Sequence, residues 1–305
     1  MSDIVLGLKE ALDYTRLYRD QTFVIKLGGE VLASARTLEG VAVHVALLES
    51  LSIRVVLVHG GGPQATALSR RLGVEPEIVA GRRVTTPEVL EIAKMVYAGQ
   101  LNVDVLSALR THGVKAVGLS GVDANLVTAR RRPPVSVTDD DGQQRTVDYG
   151  EVGDIEAVDH AVLDVLLPAG FVPVVASLAA DKDGRALNVN ADTMAEALAS
   201  ALKAKKLIFL TGAPGLLRDP EDPSSLVAFA DPEDLGAMLE SGAIRGGMRP
   251  KVEACLRAVA NGLRRTHIID GRIPDALLLE VFTGHGCGTM IVAKKEMESY
   301  AEREL

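Results

Sequence analysis

The residues best suited to chemistry lie where two apolar segments run into glycines. Lys26 lies within the apolar run 23–27, which ends in a glycine pair. Because a lysine is rarely buried without a counter-charge, Lys26 is expected to point out of the strand end towards an anion. A second β-branched run, 55–58, ends in the motif 59–62, a histidine followed by three glycines. Glycines let backbone N–H groups approach an anion closely, so the two junctions predict a phosphate-handling α/β enzyme.

Two further clusters lie where helices are predicted to begin. Asn188, Asn190 and Asp192 precede an alanine-rich segment at intervals of two residues. One of them could be a simple N-cap, or the spacing could direct these polar side chains into a shared cleft. Lys251 follows Pro250 in the first turn of another predicted helix, where the helix dipole disfavours a cation. Lys251 is therefore either a solvated surface lysine or a group that converges with the helix N-terminus on one anion.

Arg82 and Arg83 are candidates for binding an acidic substrate. Arginine pairs with carboxylates through two parallel hydrogen bonds, although a surface role is the default for a single arginine. His59 is the histidine beside the glycine cluster, and a structural role is predicted for it. The sequence has neither a P-loop nor a G-x-G-x-x-G motif after a strand, so phosphate must be bound by another arrangement.

Composition narrows the class of protein. At 305 residues with 47% hydrophobic residues, the chain can bury a large core. No apolar run approaches the roughly 18 residues that span a bilayer, and residues 1–20 lack the layout of a signal peptide. Cys255 and Cys287 lack metal-ligand spacing, and the net charge of −8 argues against a nucleic-acid surface. We expect a cytoplasmic enzyme with no membrane or nucleic-acid partner.

Apolar runs and helical patterns alternate along the chain, which predicts βαβ units and a mostly parallel sheet between helices. The predicted strands are 22–27, 53–58, 115–119, 172–177, 207–211 and 266–270. The predicted helices are 3–19, 62–73, 86–110, 158–169, 191–203, 231–241 and 250–263. The pattern between 127 and 149 predicts an inserted β-hairpin with its turn at 139–142. A soft lobe boundary falls near 180–187, although that segment could equally be a hairpin turn.

Taken together, these segments resemble the amino-acid kinase family, and within it the members that phosphorylate N-acetyl-L-glutamate. The matching blocks follow one another in order through nearly the whole chain. They are 25–29, 59–64, 81–85, 117–121, 150–153, 188–193, 210–217, 246–251, and 267–272 with 280–289. A single glycine-rich loop would be weak support, whereas nine ordered blocks are specific.

The resemblance implies an open αβα sandwich with a mostly parallel central sheet and an additional N-terminal helix. It implies an oligomerisation helix at 1–20, an N-terminal lobe at 21–187 for substrate binding and dimerisation, and a C-terminal lobe at 188–305 for ATP. The implied reaction moves the γ-phosphoryl group of ATP onto the side-chain carboxylate of N-acetyl-L-glutamate in arginine biosynthesis. Mg²⁺ is expected to bridge the ATP phosphates, with no metal ligand from the protein.

The same resemblance assigns roles to individual residues. The catalytic residues are Lys26, Lys251, Asp192 and Gly29, with Asp192 orienting the two lysines, and the substrate-binding residues are Gly61, Gly62, Arg83 and Asn188. The nucleotide-binding residues are Gly212, Ala213, Pro214, Gly215, Leu216, Leu217, Ala243, Ile244 and Arg245. The residues that would bind L-arginine as an inhibitor are Tyr14, Glu280, Gly286 and Gly288.

The N-terminal segment bears on the oligomeric state. Arginine-inhibited members of the family carry a helix before the first strand, and pairs of these helices join three dimers into a hexamer. Tyr14 and Tyr18, one turn apart, lie on an apolar stripe that a lone protruding helix could not bury. We therefore predict a hexamer inhibited by L-arginine. The alternative is a helix packed on its own subunit in a homodimer.

Four positions depart from the family's pattern. Gly212 stands where an aspartate is usual, Val122 and Val103 stand where lysines are common, and Glu30 replaces a small or amide residue. None of these changes removes a catalytic group named above. Glu30 adds negative charge next to the first glycine pair, where phosphate is expected.

Two other functions are compatible with these residues. A kinase for aminoadipate or glutamate attached to a small acidic carrier protein should expose a basic face, whereas this chain is net acidic. A weakly catalytic arginine-sensing subunit would explain the departures. However, a silenced site has no use for Lys26, Asp192 and Lys251 together, so an active kinase for the free substrate is favoured.

Overall fold

Strands and helices alternate through most of the computed structural model, which describes residues 2–79, 82–138, 144–219, 221–283 and 286–293. The strands are β1 (Thr22–Leu27), β2 (Arg54–His59), β3 (Ile78–Val79), β4 (Arg82–Arg83), β5 (Ala116–Ser120), β6 (Val127–Arg131), β7 (Val135–Thr138), β8 (Gln144–Val147), β9 (Gly153–Val158), β10 (Val172–Ala176), β11 (Leu178–Ala180), β12 (Ala186–Asn188), β13 (Lys206–Thr211), β14 (Phe229–Ala230), β15 (Arg265–Asp270) and β16 (Thr289–Val292).

The helices flank these strands along the chain. They are α1 (Ser2–Tyr18), α2 (Gly29–Leu32), α3 (Ala35–Ser50), α4 (Gly62–Arg71), α5 (Pro87–Lys94), α6 (Asn102–Thr111), α7 (Ala161–Leu166), α8 (Ala191–Ala201), α9 (Pro232–Glu240), α10 (Met248–Ala260) and α11 (Ala276–Phe282). A π-helical segment, Met95–Leu101, joins α5 to α6. Two short 3₁₀ turns lie at Asp123–Asn125 and Pro223–Ser225. Among the described residues, no helix is both long and apolar enough to cross a bilayer.

Eight strands form the central sheet, in the order β14-β16-β15-β13-β1-β2-β10-β5. All neighbouring pairs are parallel except β15 and β16, which are antiparallel. The strand β1 lies at the centre, with β13 on one side and β2 on the other. The predicted open αβα sandwich with a mostly parallel sheet is thereby confirmed.

The inner strands β1, β2, β10, β13 and β15 are buried on both faces along almost their whole length, as expected when helices cover a parallel sheet. On β1, Val24 belongs to the apolar cluster that includes residues of α8 and α10. Phe23 and Ile25 belong to the opposite cluster, which includes residues of α3 and α11. Because side chains alternate along a strand, Lys26 points to the same face as Val24. The pleat of β1 therefore directs Lys26 towards α8.

Smaller sheets lie beside the central one. The strands β7 and β8 form the predicted inserted hairpin, while its turn at 139–142 lies outside the described residues. The segment 127–130 belongs to β6, which pairs with β9 in a four-stranded sheet of order β12-β11-β6-β9, so its assignment to the hairpin was wrong. The strands β11 and β12 pair antiparallel, so the segment between them is a hairpin turn. The division into lobes stays a prediction.

The predicted helices are present with altered bounds. The N-terminal helix is confirmed as α1, and its Tyr18 is buried edge-on against Phe23. The helix predicted at 158–169 is reduced to α7, because residues up to Val158 form β9. Three helices were not predicted, α2, α3 and α11. A signal for α3 was present, since the Ser34 hydroxyl accepts a hydrogen bond from the Thr37 N–H as an N-cap.

Candidate active site

A cavity of about 610 Å³ opens at the carboxyl ends of β1 and β2. This edge of a parallel sheet is where α/β proteins bind ligands, because strand ends, glycine loops and helix N-termini meet there. The structure brings together all eight residues that were predicted to be catalytic or to bind the substrate. All eight line the cavity; they are Lys26, Gly29, Gly61, Gly62, Arg83, Asn188, Asp192 and Lys251.

A carboxylate between two lysines forms the floor of the cavity. Asp192 Oδ1 lies 2.8 Å from Lys26 Nζ, and Asp192 Oδ2 lies 3.2 Å from Lys251 Nζ. Lys251 Nζ also donates to the carbonyl of Gly247, 3.1 Å away. The side chain of Asp192 is 6% exposed, against 9% for Lys26 and 16% for Lys251. One negative charge thus holds two positive charges at the edge of solvent, which leaves an excess positive charge for an anion.

Helix α8 places the carboxylate between the lysines. The N-cap is Asn190, whose side-chain oxygen accepts hydrogen bonds from the N–H groups of Asp192 and Thr193 at 2.8 and 3.1 Å. The capping hypothesis is therefore correct for Asn190, while the side chain of Asp192 is left to pair with the lysines. Asn190 thus caps the helix, and Asp192, in the same turn, makes the ion pairs.

The ionisation of this triad follows from burial and mutual attraction. Burial alone would raise the pKa of Asp192, but the charges and hydrogen bonds of Lys26 and Lys251 bring it below the ordinary value of 3.8. Burial lowers the pKa of Lys251, and the charge of Asp192 partly offsets that effect. The carboxylate is therefore ionised throughout the neutral range.

The two glycine junctions touch each other across the cavity. A Cβ atom on Gly29 would lie 2.9 Å from Pro63 Cγ, so glycine at this position allows the first turns of α2 and α4 to approach this closely. Gly61 has a φ of 151° and its missing Cβ would collide with Leu101 and Tyr97. Backbone N–H groups at such junctions can bind an anion without a side chain.

Arg83 reaches the cavity from the short strand β4. Its Nη2 donates to the carbonyl of Gly62 at 2.6 Å and also to the hydroxyl of Thr66. Its Nη1 is buried and has no hydrogen-bond partner within the described residues. On the other wall, Asn188 Nδ2 donates to Thr85 Oγ1 at 3.1 Å. A buried, unpaired guanidinium nitrogen in a cavity indicates an anionic ligand, since leaving it unpaired costs free energy.

Two of the departures from the family's pattern are neighbours in space. The side chain of Glu30 lies across Gly212, where a Cβ atom would be 2.8 Å from Glu30 Cγ. A residue larger than glycine at 212 is incompatible with this position of Glu30. The two positions are far apart in the sequence, but in the structure the side chain of Glu30 occupies the space that a side chain at position 212 would need.

The predicted nucleotide-binding segment lies at the end of β13 and does not line this cavity. The N–H of Ala213 is hydrogen-bonded to Thr211 Oγ1, and the N–H of Leu216 is hydrogen-bonded to Thr289 Oγ1. Leu216 and Ile244 belong to the apolar core, so of these two residues only the backbone can face a nucleotide. The other predicted positions in these loops are Gly212, Pro214, Gly215, Leu217, Ala243 and Arg245.

A second, small cavity lies between α1 and α11. The four residues predicted to bind arginine line it, namely Tyr14, Glu280, Gly286 and Gly288. Lys206, Arg265 and His267 line it as well, and sequence reasoning missed them. Lys206 and His267 could have been found in the same way as Lys26, because each is a charged or polar side chain in an otherwise apolar strand.

A chain of buried polar groups crosses this second cavity. Lys206 Nζ donates to His267 Nε2 at 3.1 Å, and His267 Nδ1 donates to Glu280 Oε1 at 2.6 Å. The N–H of Cys287 donates to Glu280 Oε2 at 2.8 Å. Burial lowers the pKa of His267 to about 4 and that of Lys206 to about 7, so the imidazole is neutral at physiological pH. Although burial opposes ionisation of Glu280, hydrogen bonds from His267 and Cys287 lower its pKa.

The first cavity is built to receive anions. Glycines, two lysines and four arginines line it together with four carboxylates, so the lining is net positive, and Asp192 keeps the lysines in place. Within the described residues, no three His, Cys, Asp or Glu side chains lie close enough to hold a metal ion. This arrangement can align two anions and stabilise charge that develops between them, which is what phosphoryl transfer requires.

Replacing Asp192 by asparagine should destabilise the protein, because two ammonium groups would then face each other without a counter-charge. Breaking a buried ion pair in this way costs about 3–5 kcal/mol of unfolding free energy. Since the folded-state pKa of Asp192 is lowered, its contribution is present above the ordinary value of 3.8 and is lost as the pH falls through the folded-state pKa. Urea unfolding at pH values from neutral to acidic measures the difference.

Asp183→Asn, at an exposed turn, is the matched control and should unfold as the parent does. The loss in Asp192→Asn should be constant through the neutral range and shrink in acid. An unchanged unfolding free energy would contradict the ion-pair account.

Comparisons with known proteins agree with this geometry. Residues 21–270 match the sequence profile of the amino acid kinase family. An acetylglutamate kinase of Myxococcus xanthus is 51% identical over 287 residues, covering 94% of this chain and 93% of the relative. An acetylglutamate kinase of Methanothrix thermoacetophila is 45% identical over 284 residues, covering 93% of this chain and 96% of the relative.

Solved structures point the same way. An N-acetylglutamate synthase from Neisseria gonorrhoeae, complexed with coenzyme A and N-acetyl-glutamate, is similar with a TM-score of 0.80 and 29% identity. The match covers 95% of this chain and 63% of the synthase, so the chain spans less than two thirds of that protein. The same synthase complexed with coenzyme A and L-arginine gives a TM-score of 0.79 at 27% identity, covering 95% and 65%. By fold, by profile over most of its length and by sequence identity to full-length relatives, this chain belongs to the amino acid kinase family.

Proposed function

We propose that this protein catalyses the ATP-dependent phosphorylation of the side-chain carboxylate of N-acetyl-L-glutamate, a step of arginine biosynthesis. The observation that carries the proposal is the pair of lysines held by one buried carboxylate. The same cavity is lined by Arg83, whose Nη1 has no hydrogen-bond partner among the residues that the structure describes. Relatives covering nearly the whole chain are acetylglutamate kinases. The two lysines would face the carboxylate that is phosphorylated, and Arg83 would bind a second carboxylate. The site therefore suits a substrate with two carboxylates.

In the proposed reaction, an oxygen of the side-chain carboxylate attacks the γ-phosphorus of ATP. The bond from that phosphorus to the oxygen bridging the β- and γ-phosphates breaks, which gives an acyl phosphate and ADP. Lys26 and Lys251 would face the oxygens of the phosphoryl group from two sides, and the N–H groups of Gly29 and Gly61 would bind them. Asp192 pairs with both lysines and keeps them in place. Mg²⁺ bound to the ATP phosphates would neutralise part of their charge.

The substrate's second carboxylate is assigned to Arg83. Its Nη2 is held by Gly62 and Thr66, which fixes the plane of the guanidinium, while Nη1 has no hydrogen-bond partner among the described residues. Asn188, which also lines the cavity, would meet the acetamido group. Gly62 lines the cavity between them. These contacts would select an acidic, acylated amino acid.

The test is an assay in which hydroxylamine traps the acyl phosphate formed from ATP and each of N-acetylglutamate, glutamate and aspartate. We expect product with N-acetylglutamate and much less with the other two. Lys26→Ala and Lys251→Ala each remove a preorganised cation, so turnover should fall by roughly 10²–10³. Lys182→Ala, at an exposed turn, is the control and should keep parental turnover. Parental turnover in both active-site variants would contradict the assigned site.

The alternative substrate is aminoadipate or glutamate attached to a small acidic carrier protein. The net charge of −8 disfavours an acidic partner. Comparing kcat/KM for the carrier-bound substrate with that for free N-acetylglutamate separates the two. A higher kcat/KM for the carrier-bound form would replace the proposed substrate.

Arg83→Lys should weaken binding of the acidic substrate without affecting ATP. Lysine keeps the charge but cannot contact Gly62, Thr66 and a carboxylate with one planar group. We therefore expect a higher KM for N-acetylglutamate and an unchanged KM for ATP, both measured by steady-state kinetics. Arg71→Lys, at an exposed position on α4 that does not line the cavity, is the matched control. An effect of Arg83→Lys confined to ATP would contradict the assignment.

We further propose that L-arginine inhibits the enzyme from the second cavity. Glu280 is ionised there and suits a guanidinium, while Lys206 suits a carboxylate. The cavity of about 30 Å³ is too small for arginine, so α1 must move against α11, which it contacts. The synthase of similar fold complexed with L-arginine supports an arginine site in this architecture.

The same helix supports a hexamer assembled from three dimers. Leu12 and Leu17 on α1 are 51% and 48% exposed, which leaves apolar surface that a second α1 could bury. A ligand that wedges between α1 and α11 would change the angle of this helix and so the geometry of the ring.

Light scattering should therefore report a hexamer, and millimolar L-arginine should inhibit it. Removing residues 1–19 should give active dimers that arginine does not inhibit. Because Tyr18 is part of the core, Leu12→Glu serves as a second variant that should separate the dimers without disturbing packing. Val165→Glu, at a 69% exposed position on α7, should stay hexameric. A dimeric parent that resists millimolar arginine would contradict both proposals.

A further inference from the structure

His59 is a fully buried histidine at the last position of β2, directly before the three glycines that line the active-site cavity. Its ring makes two hydrogen bonds. Nδ1 lies 3.0 Å from the carbonyl oxygen of Gly60, and Nε2 lies 3.3 Å from Asn102 Nδ2. Neither His59 nor Asn102 has a role in the phosphoryl transfer as described so far.

The partners of Asn102 determine which ring nitrogen carries the proton. Asn102 Nδ2 also contacts the carbonyl oxygens of Val174 at 3.1 Å and of Leu119 at 3.3 Å. Carbonyl oxygens only accept hydrogen bonds, so this atom must be the amide nitrogen, which only donates. His59 Nε2 is consequently the acceptor, and the proton lies on Nδ1, from where it is donated to Gly60. Burial lowers the pKa of His59 to about 4, which keeps this single tautomer neutral.

The bond to Gly60 fixes the orientation of the next peptide group. In a planar trans peptide, the C=O of Gly60 and the N–H of Gly61 point in opposite directions. Holding that carbonyl on the buried imidazole therefore aims the Gly61 N–H away from His59, towards the cavity that Gly60 and Gly61 line. Without such a bond, a run of glycines would sample many orientations of this peptide.

The side chains of Tyr97 and Leu101 place a second constraint on Gly61. Gly61 has a φ of 151°, and a Cβ atom there would lie 2.9 Å from Tyr97 Cδ1 and would collide with Leu101. Both residues belong to the π-helical segment Met95–Leu101, which ends directly before Asn102. The π-helical segment thus supports Gly61 with its apolar side chains, and the residue that follows it holds the imidazole.

We propose that His59 is a positioning residue, which Asn102 holds in the Nδ1–H tautomer so that the Gly61 N–H points at the phosphoryl group in transit. This inference rests on the proposed function for the identity of the group that is bound. It assigns to His59 a role in turnover beyond the structural role that its burial suggests. Misplacing a group in an active site by about 1 Å can cost 10²-fold in rate.

Two substitutions of His59 distinguish positioning from packing. In His59→Asn, the side-chain nitrogen occupies the place of Nδ1 and can still donate to Gly60. In His59→Gln, the amide reaches the place of Nε2 and Asn102 but leaves the Gly60 carbonyl free. We expect kcat to fall about 10²-fold in His59→Gln with an unchanged KM for ATP, and to be largely restored in His59→Asn.

Val56→Ala, in the same buried strand, is the control for lost packing and should lower the melting temperature while keeping kcat. Equal losses of kcat in His59→Asn and His59→Gln, or none in either, would overturn the proposal. The tautomer is measured separately by ¹⁵N NMR of the histidine rings in the protein without substrate, where we expect the proton on Nδ1. A proton on Nε2 would overturn the proposal whatever the substrate is, whereas failure of the parent to phosphorylate N-acetylglutamate would count against the proposed function instead.

Discussion

The ion pairs of Asp192 are the interaction on which the active-site cavity depends. A carboxylate on a side chain that is only 6% exposed is costly unless its charge is matched, and here two ammonium groups match it. The three partners come from β1, α8 and α10, so the pairs form only when the strand and both helices have assembled. Lys26 reaches the carboxylate because the pleat of β1 turns it towards α8, and Asp192 is available because Asn190 takes over the capping of that helix.

The two cavities lie at opposite ends of the same pair of strands. Phe23 is in register with Lys206 and Lys26 is in register with Phe209, so three residues separate the level of the second cavity from that of the active site. That interval corresponds to about 10 Å along a strand. A ligand that pulls on Lys206 would therefore act on the strand beside the one that carries Lys26. In the proposed inhibition by arginine, the effect on the active site would pass through these two neighbouring strands alone.

Sequence reasoning selected residues that break a local rule, and the structure brings them together in one cavity. Lys26 interrupts an apolar strand and Lys251 places a cation at a helix N-terminus, and both anomalies pointed to an anion. The same rule would have found Lys206 and His267, which also interrupt buried strands, had it been applied to them. The pairing of β6 with β9 could not be predicted, because short strands are identified by distant partners rather than by their own pattern.

Other features depend on contacts that spacing does not reveal. Glu30 and Gly212 lie in different parts of the chain, and only the fold shows that one side chain occupies the space beside the other. The tautomer of His59 likewise follows from two carbonyl groups, on β5 and β10, that hold Asn102. The sequence predicted a structural histidine there, which its burial bears out, but the direction of its hydrogen bonds required the structure.

In the proposed reaction, two lysines on one carboxylate, with glycine N–H groups opposite, bind the phosphoryl group during transfer. A crystal structure of the protein with ADP, N-acetylglutamate and aluminium fluoride, a planar phosphoryl mimic, tests it most directly. We expect the mimic between ADP and the substrate's side-chain carboxylate, with its fluorides contacting Lys26 Nζ, Lys251 Nζ and the Gly61 N–H. A mimic bound in line with both substrates but touching neither lysine would contradict it.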